Sequence, residues 1–208
     1  MITVIGAGSG KAENLSLDAF RTIKKASKVV LKTEKMPIKR LLEDENIPFE
    51  TLDGIYEQAE DFDALNAQIK DYLLSSGDCV YVVHGSALDD TSVRSLGKVN
   101  IIPGISVADC AAAYMNLPKD IKAYTSTEVL SGTLPSVHTD CMVTCIDSLL
   151  IAGDIKCILA DIYGDEAEIS FYTEDYDGNQ SFKEILLYQL DMQDTYNHTT
   201  SIFLKSRF

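Results

Sequence analysis

Three short stretches carry residue types that chemistry needs. VIGAGSGKAENLS (residues 4–16) sets Gly6, Gly8, Gly10 and Lys11 between an apolar run and the polar residues that open a helical pattern. Glycine lets backbone N–H groups approach a charged ligand closely, so such a loop suits an anion or another compact polar group. GDCVYVVHGSALDDTSV (77–93) brings His84, Gly85, Ser86, Asp89 and Asp90 to the end of an apolar run, and IIPGISVADCAAAY (101–114) does the same for Pro103, Gly104, Ile105 and Ser106. A fourth group, His138, Cys141 and Cys145, has soft metal-ligand types.

Each stretch admits a bland reading beside the chemical one. A phosphate loop of the G-x-x-x-x-G-K-[ST] kind would need glycine where Ile5 stands and a hydroxyl where Ala12 stands, so that chemistry is excluded. The dinucleotide pattern G-x-G-x-x-G is closer, with Gly6 and Gly8 in place and Glu34 as a ribose acid, but its third glycine falls at Gly10 rather than at Lys11. The first helix is expected near Leu17, too far from the glycines to hold a pyrophosphate at its N-terminus. A nucleotide-binding oxidoreductase resting on Gly6, Gly8 and Glu34 stays as the third reading. A zinc site would want a second ligand pair, and Cys145 lies in the apolar run MVTC, so no metal is expected. His84 either meets a ligand or bonds a nearby carbonyl. Asp89 and Asp90 suit the start of the helix TSVRSL, and Ser106 either caps the next helix or meets a ligand.

Elements must bring these residues together. ITVIG (2–6), KVVLK (28–32), PFETL (48–52), CVYVV (79–83) and KVNIIPG (98–104) read as strands. Between them fall helices from Leu17 to Ala26 with Ser16 as N-cap, from Pro37 to about Glu45, from Asp61 to Ser76 ended by Gly77, and from Ser106 to Tyr114. The inward stripes are Leu17, Phe20, Ile23 and Ala26 on the first helix, and Phe62, Leu65, Ile69, Tyr72 and Leu73 on the Asp61–Ser76 helix. Strand–helix alternation predicts a parallel, Rossmann-like sheet with right-handed crossovers. The pattern changes at Asn116, so the expected domains are residues 1–117 and 118–208. The second half reads as a strand at CMVTCI (141–146), helix from Ser148 to Tyr163 interrupted at Gly153-Asp154, a strand at 167–174, a turn at 177–179 and a strand at 200–205. That predicts a mixed α/β domain. Tyr163, Phe171, Tyr172 and Tyr176 either pack or stack on a flat ligand.

Bulk properties narrow the class. The net charge is −14, split as −5 over residues 1–115 and −9 over 116–208, so neither half offers a basic face for nucleic acid or anionic membrane. Five cysteines without a C-x-x-C pair, a strand rather than a leader at the start, and no apolar run near 18 residues are the pattern of a cytoplasmic chain with reduced thiols.

VIGAGSG followed by NLSLDAFRTIKKASKVVLKTE resembles the opening of the tetrapyrrole (corrin and porphyrin) methylase family, V-G-x-G-P-G-D, a leucine–threonine or leucine–serine pair, helix and strand. GDCVYVVHGSALDDTSV is similar to the family's second loop (G-G-D-P after a buried strand), IIPGISVADCAAAYMNLP (101–118) keeps its P-G-[IV]-[ST] element, and CMVTCID (141–147) takes the place of its methionine–tyrosine strand end. LKTEKMP (31–37) and TLDGIYEQAEDFDALNAQI (51–69) look most like the branch fused ahead of a MazG-type nucleoside triphosphate pyrophosphohydrolase. The resemblance implies a two-domain α/β fold with S-adenosylmethionine in a cleft between the halves. It implies contacts from Gly85, Ser86, Ala87 and Leu88, from Pro103, Gly104, Ile105 and Ser106, and from Cys145, Ile146 and Asp147. Gly8, Ser9 and Gly10 would lie on the acceptor side. A small-molecule acceptor of tetrapyrrole type, a homodimer and a MazG-type partner follow on the same ground. Ser9 and Lys11 replace the family's proline and aspartate in the first loop, and Ser86 and Ala87 replace its aspartate and proline in the second. Valine at position 85 is expected to block the cofactor while the fold survives.

Overall fold

A computed structural model of the chain describes residues 1–208 apart from Gly10, Glu60, Lys119 and Phe208, with the side chains of Phe62 and Asp63 also outside the described set. The expected inward role of Phe62 and the loop position of Gly10 therefore fall outside the described residues. Two compact units emerge: Met1–Ser106 with Tyr176–Gly178, and Val107–Asp175 with Asn179–Phe208.

The first unit is built on a parallel sheet of β1 (Ile2–Gly6), β2 (Val29–Leu31), β3 (Glu50–Thr51), β4 (Cys79–Val83) and β5 (Asn100–Ile102), in the order β3-β2-β4-β1-β5. Every residue of β1 and β4 is buried, as runs without polar alternation require. One face packs α1 (Leu17–Lys25) and α2 (Ile38–Asp44) against Ile5, Leu31 and Val82. The other carries α3 (Asp53–Gln58), α4 (Phe62–Ser75) and α5 (Thr91–Ser95), with Leu65, Ile69, Leu73 and Val93 on Val4, Tyr81 and Val83. The Ser16 cap read from sequence is present, its side chain accepting from Ala19 N; Asp61, read as the first residue of its helix, is instead the N-cap, accepting from Ala64 N. The α1 stripe is shifted from expectation. Ala19 and Ile23 are buried, while Leu17, in the first turn, is exposed.

The second unit holds α6 (Val107–Tyr114), β6 (Lys122–Thr125), α7 (Ser126–Leu130), β7 (Cys141–Thr144), α8 (Leu149–Tyr163), β8 (Glu168–Glu174), β9 (Gln180–Leu186) and β10 (Ser201–Leu204). Its sheet runs β6-β7-β10-β8-β9, parallel between β6 and β7 and antiparallel elsewhere, so it is mixed as expected. Val143, Phe171 and Ile202 share a register row and face α8 and the 3₁₀ turn Leu187–Met192. On the opposite face Ala111 of α6 packs with Met142, Tyr172 and Phe203.

The break expected at Gly153-Asp154 does not occur. α8 runs unbroken from its Ser148 cap to Gly164, because Ala152, Ile155 and Leu159 keep one apolar stripe in the core. Burial of that stripe outweighs the roughly 1 kcal/mol that a helical glycine costs. The fold class is thus the predicted one: α/β, with a parallel five-stranded sheet and a second, mixed sheet.

Candidate functional site

The carboxyl ends of β4, β1 and β5 lie side by side, and the loops they release define the site in the first unit. The connection leaving β1 passes to the α1 face, and that leaving β4 passes to the α5 face. Adjacent strands whose connections part to opposite faces open a crevice at their carboxyl ends, the place where open α/β sheets collect ligands.

Four glycines let the loops meet there. Gly8 and Gly85 form an antiparallel bridge: Gly8 N donates to the Gly85 carbonyl at 3.1 Å and Gly85 N to the Gly8 carbonyl at 3.0 Å. Both have positive φ, +79° and +64°. Gly6 sits against the other two turns, since a Cβ placed on it would stand 2.6 Å from Gly85 O, 2.6 Å from Gly104 N and 2.8 Å from Ala87 N. A Cβ on Gly104 would stand 2.5 Å from Gly6 O. No side chain fits at either position, so the first loop, the Gly85–Leu88 turn and the Pro103–Ser106 turn form one packed cluster of main chain. The structure therefore brings together, within one unit, the loops of all three glycine-bearing stretches that the sequence singled out.

Around the packed glycines the turns carry exposed apolar side chains, Leu88 and Ile105, with Pro103 exposed and Ser106 half-buried ahead of α6. Ser86 and Ala87 are buried. Ser86 spends itself on the turn: its Oγ accepts from Leu88 N at 3.3 Å and its carbonyl from Asp89 N at 3.1 Å. In the first loop Ser9 is fully buried, and its carbonyl accepts from Asn14 Nδ2 at 2.7 Å. The 3₁₀ turn Ala12–Asn14 stands between the first loop and α1. Glu34 pairs with Lys39 at 3.1 Å. The turn interposed before α1 weighs against the dinucleotide reading.

Asp90 caps α5 as expected, its Oδ1 accepting from Ser92 N at 2.9 Å and from Ser92 Oγ at 2.6 Å. Its other oxygen does what the sequence did not disclose, accepting from Lys32 Nζ at 2.7 Å, with the Asp90 side chain only 6% exposed and that of Lys32 27%. Tyr81 and Tyr56 complete this buried group, Tyr81 by a 3.0 Å hydroxyl bond to Ser92 and Tyr56 beside the ammonium. Burial alone would lift the Asp90 carboxyl, yet the Lys32 charge and the Ser92 bonds hold it below its ordinary value. Burial would likewise depress Lys32, but Asp90 and Tyr56 hold the ammonium above its usual range. Burial pushes the hydroxyls of Tyr56 and Tyr81 up. Only the polar end of KVVLK hinted at Lys32; its partner lies 58 residues away.

In the second unit Cys145, Ile146 and Asp147 form the turn between β7 and α8. Cys145 adopts φ +62°, a region a residue with a Cβ enters only when its surroundings require it. The turn is pinned on both sides, the Cys145 carbonyl accepting from Ser126 Oγ at 2.7 Å and Ile146 N donating to Thr200 O at 3.0 Å. Ile146 is buried and Asp147 exposed. Cys141 is a buried strand residue beside the Tyr163 hydroxyl, and among the described residues no three His, Cys, Asp or Glu side chains form a metal-holding group. Among the aromatic residues weighed for stacking, Tyr163, Phe171 and Tyr172 are core, and only Tyr176 is exposed. Among the described residues no helix is long and apolar enough to cross a membrane.

The fold has counterparts among known proteins. Solved structures of similar fold include the methyltransferase CobJ (16% identity, TM-score 0.68, 99% of this chain and 94% of that one) and uroporphyrin-III-C-methyltransferase from Thermus thermophilus (14%, 0.65, 99% and 91%). Diphthine synthase is a third (13%, 0.65, 99% and 90%). In sequence the chain is 22% identical over 216 residues to the uncharacterized protein YabN of Bacillus subtilis (strain 168), covering 98% of this chain and 44% of that one. It thus spans less than half the length of that curated relative. The sequence model described as Tetrapyrrole (Corrin/Porphyrin) Methylases matches residues 1–152, and on that match the chain belongs to the tetrapyrrole methylase family.

Proposed function

We propose that the protein is an S-adenosylmethionine-dependent methyltransferase of the tetrapyrrole methylase type. The observation that supports it best is the glycine crossing of Gly6, Gly85 and Gly104, which leaves main chain and the exposed side chains of Leu88 and Ile105 at one end of the parallel sheet. That rim suits a ligand with one polar and one flat apolar part. Gly85, Ser86, Ala87, Leu88, Pro103, Gly104, Ile105 and Ser106 are its proposed holders. In the second unit, the strained turn Cys145–Asp147 is the corresponding candidate. Gly8 and Ser9 are proposed for the acceptor side.

When bound, the cofactor supplies an electrophilic methyl group on a sulfonium. The chain's task is then to bind, to orient and to exclude water, and positioning alone can account for several kcal/mol of the barrier. Rigid, mutually bonded turns serve that task, because they lose little freedom when a ligand arrives. A tetrapyrrole-type small molecule is the proposed acceptor, and homodimer assembly belongs to the same reading.

A second reading is binding without turnover, regulating a MazG-type pyrophosphohydrolase. Two observations favour it: Ser86 is absorbed into its own turn where the family carries aspartate, and the chain corresponds to 44% of a longer relative. Calorimetry with S-adenosylmethionine, S-adenosylhomocysteine and NAD, followed by transfer of labelled methyl to uroporphyrinogen-type acceptors, separates the readings. Binding of the first two with transfer is expected. Binding without transfer to any acceptor would favour the regulator, and binding of NAD alone would overturn both.

A further inference from the structure

The Gly85–Asp89 turn is fastened at two points of different kind. Its first residue is held by the Gly8–Gly85 bridge, within the main chain. Its far end is Asp90, and there the fastening is ionic. Lys32 follows β2, and its backbone N donates to Val82 O at 2.9 Å, so the lysine is anchored to the strand from which the turn departs. From that anchor its ammonium reaches Asp90 Oδ2 at 2.7 Å, while Asp90 Oδ1 is occupied by Ser92. Ser92 is tied in turn to the buried Tyr81 of β4. The capping of α5 alone would need only Oδ1 and the backbone of Ser92. The second oxygen and the lysine make a closed circuit from β4 through the turn to Asp90, through Lys32 to β2, and back to β4.

We propose that Lys32 is a positioning residue for the Gly85–Asp89 turn, holding through Asp90 the end that the glycine bridge does not reach. The role in cofactor binding rests on the function proposed above; the clamping of the turn does not. A lysine that only stabilised the unit would be replaceable together with its partner, since a buried ion pair exchanged for neutral groups is often without cost, whereas removing one member leaves a lone buried charge. A lysine that positions the turn is not replaceable in that way.

The experiment compares the native chain, Lys32→Met and Lys32→Met/Asp90→Asn by urea unfolding, by hydrogen exchange of the ligand-free protein and by calorimetry with S-adenosylmethionine. Asparagine keeps the cap on α5 but carries no charge. Lys32→Met is expected to be less stable and to exchange the amides of Leu88 and Asp89 about tenfold faster, with those of β4 changed no more than the global stability dictates. The double variant should recover stability, yet keep the fast turn amides and an affinity for S-adenosylmethionine about tenfold weaker than native. Should Lys32→Met not fold, the double variant carries the test alone. Recovery of turn protection together with stability, or native exchange in both variants, would overturn the proposal. If the native chain binds no S-adenosylmethionine, the functional reading falls, and the exchange rates still decide the clamp.

Discussion

Gly104 shows how narrow the tolerance of the site is. Its missing Cβ is the reason that Gly6 and Gly85 can pass beside it, and the atoms in the way are backbone, which cannot swing aside. Gly104→Ala is expected to cost about 2–3 kcal/mol, the upper part of the usual range for overpacking, read as a lower urea midpoint. The same reasoning corrects an expectation drawn from sequence. Valine at position 85 would meet φ +64°, where a β-branched residue is strained, so it tests the fold rather than the cofactor. Leu88 is the cleaner probe because it is 61% exposed. Leu88→Glu should change stability by less than about 0.5 kcal/mol and weaken S-adenosylmethionine binding, measured by calorimetry. Lys32→Met should cost about 2–3 kcal/mol, below the full penalty for a buried pair because the lysine is partly exposed. The sign of its pH dependence follows from Asp90. In the native chain its carboxyl is held low, so its stabilisation is complete above the unfolded value near 4 and is lost only as pH falls through the lower folded value. Without Lys32 the buried carboxyl rises, and protonation relieves it. The gap between native and variant unfolding free energies is thus expected to be flat from about pH 6 to 9 and to narrow toward pH 4.

At the scale of elements, α8 offers the sharpest test. Gly153 is helical, and a Cβ there would meet nothing nearer than Asp191 Oδ2 at 4.0 Å. Gly153→Ala should therefore raise unfolding free energy by about 0.5–1 kcal/mol, measured in urea. The glycine misled because local propensity was weighed without the stripe of Ala152, Ile155 and Leu159 that fixes the helix from outside. Strands with unbroken apolar runs, β1 and β4, were legible from sequence, since burial on both faces writes itself into composition. α3 and α7 were not legible. Each is only five or six residues long, and α3 contains Gly54, so neither shows a full helical repeat. β9 was not legible either, because its central residues are exposed and QSFKEIL carries little apolar alternation. The order of the glycine turns was legible, while the Lys32–Asp90 pair was not, as nothing local announces a partner so distant in sequence.

For the whole molecule, two sheets of different construction each close their own core, one wholly parallel and one mixed. Both halves of the sequence are acidic, which disfavours nucleic acid as a partner. Family membership rests on residues 1–152, whereas the solved structures, all under 25% identical, speak for the fold. The central claim is that the crossing of Gly6, Gly85 and Gly104 serves cofactor binding. A crystal structure of the chain with S-adenosylhomocysteine, which carries no methyl group to transfer, addresses it most directly. The account predicts the adenosyl group against the main chain of residues 85–88 and 103–106. Density for the ligand elsewhere, or a saturated crystal with none at these turns, would contradict it.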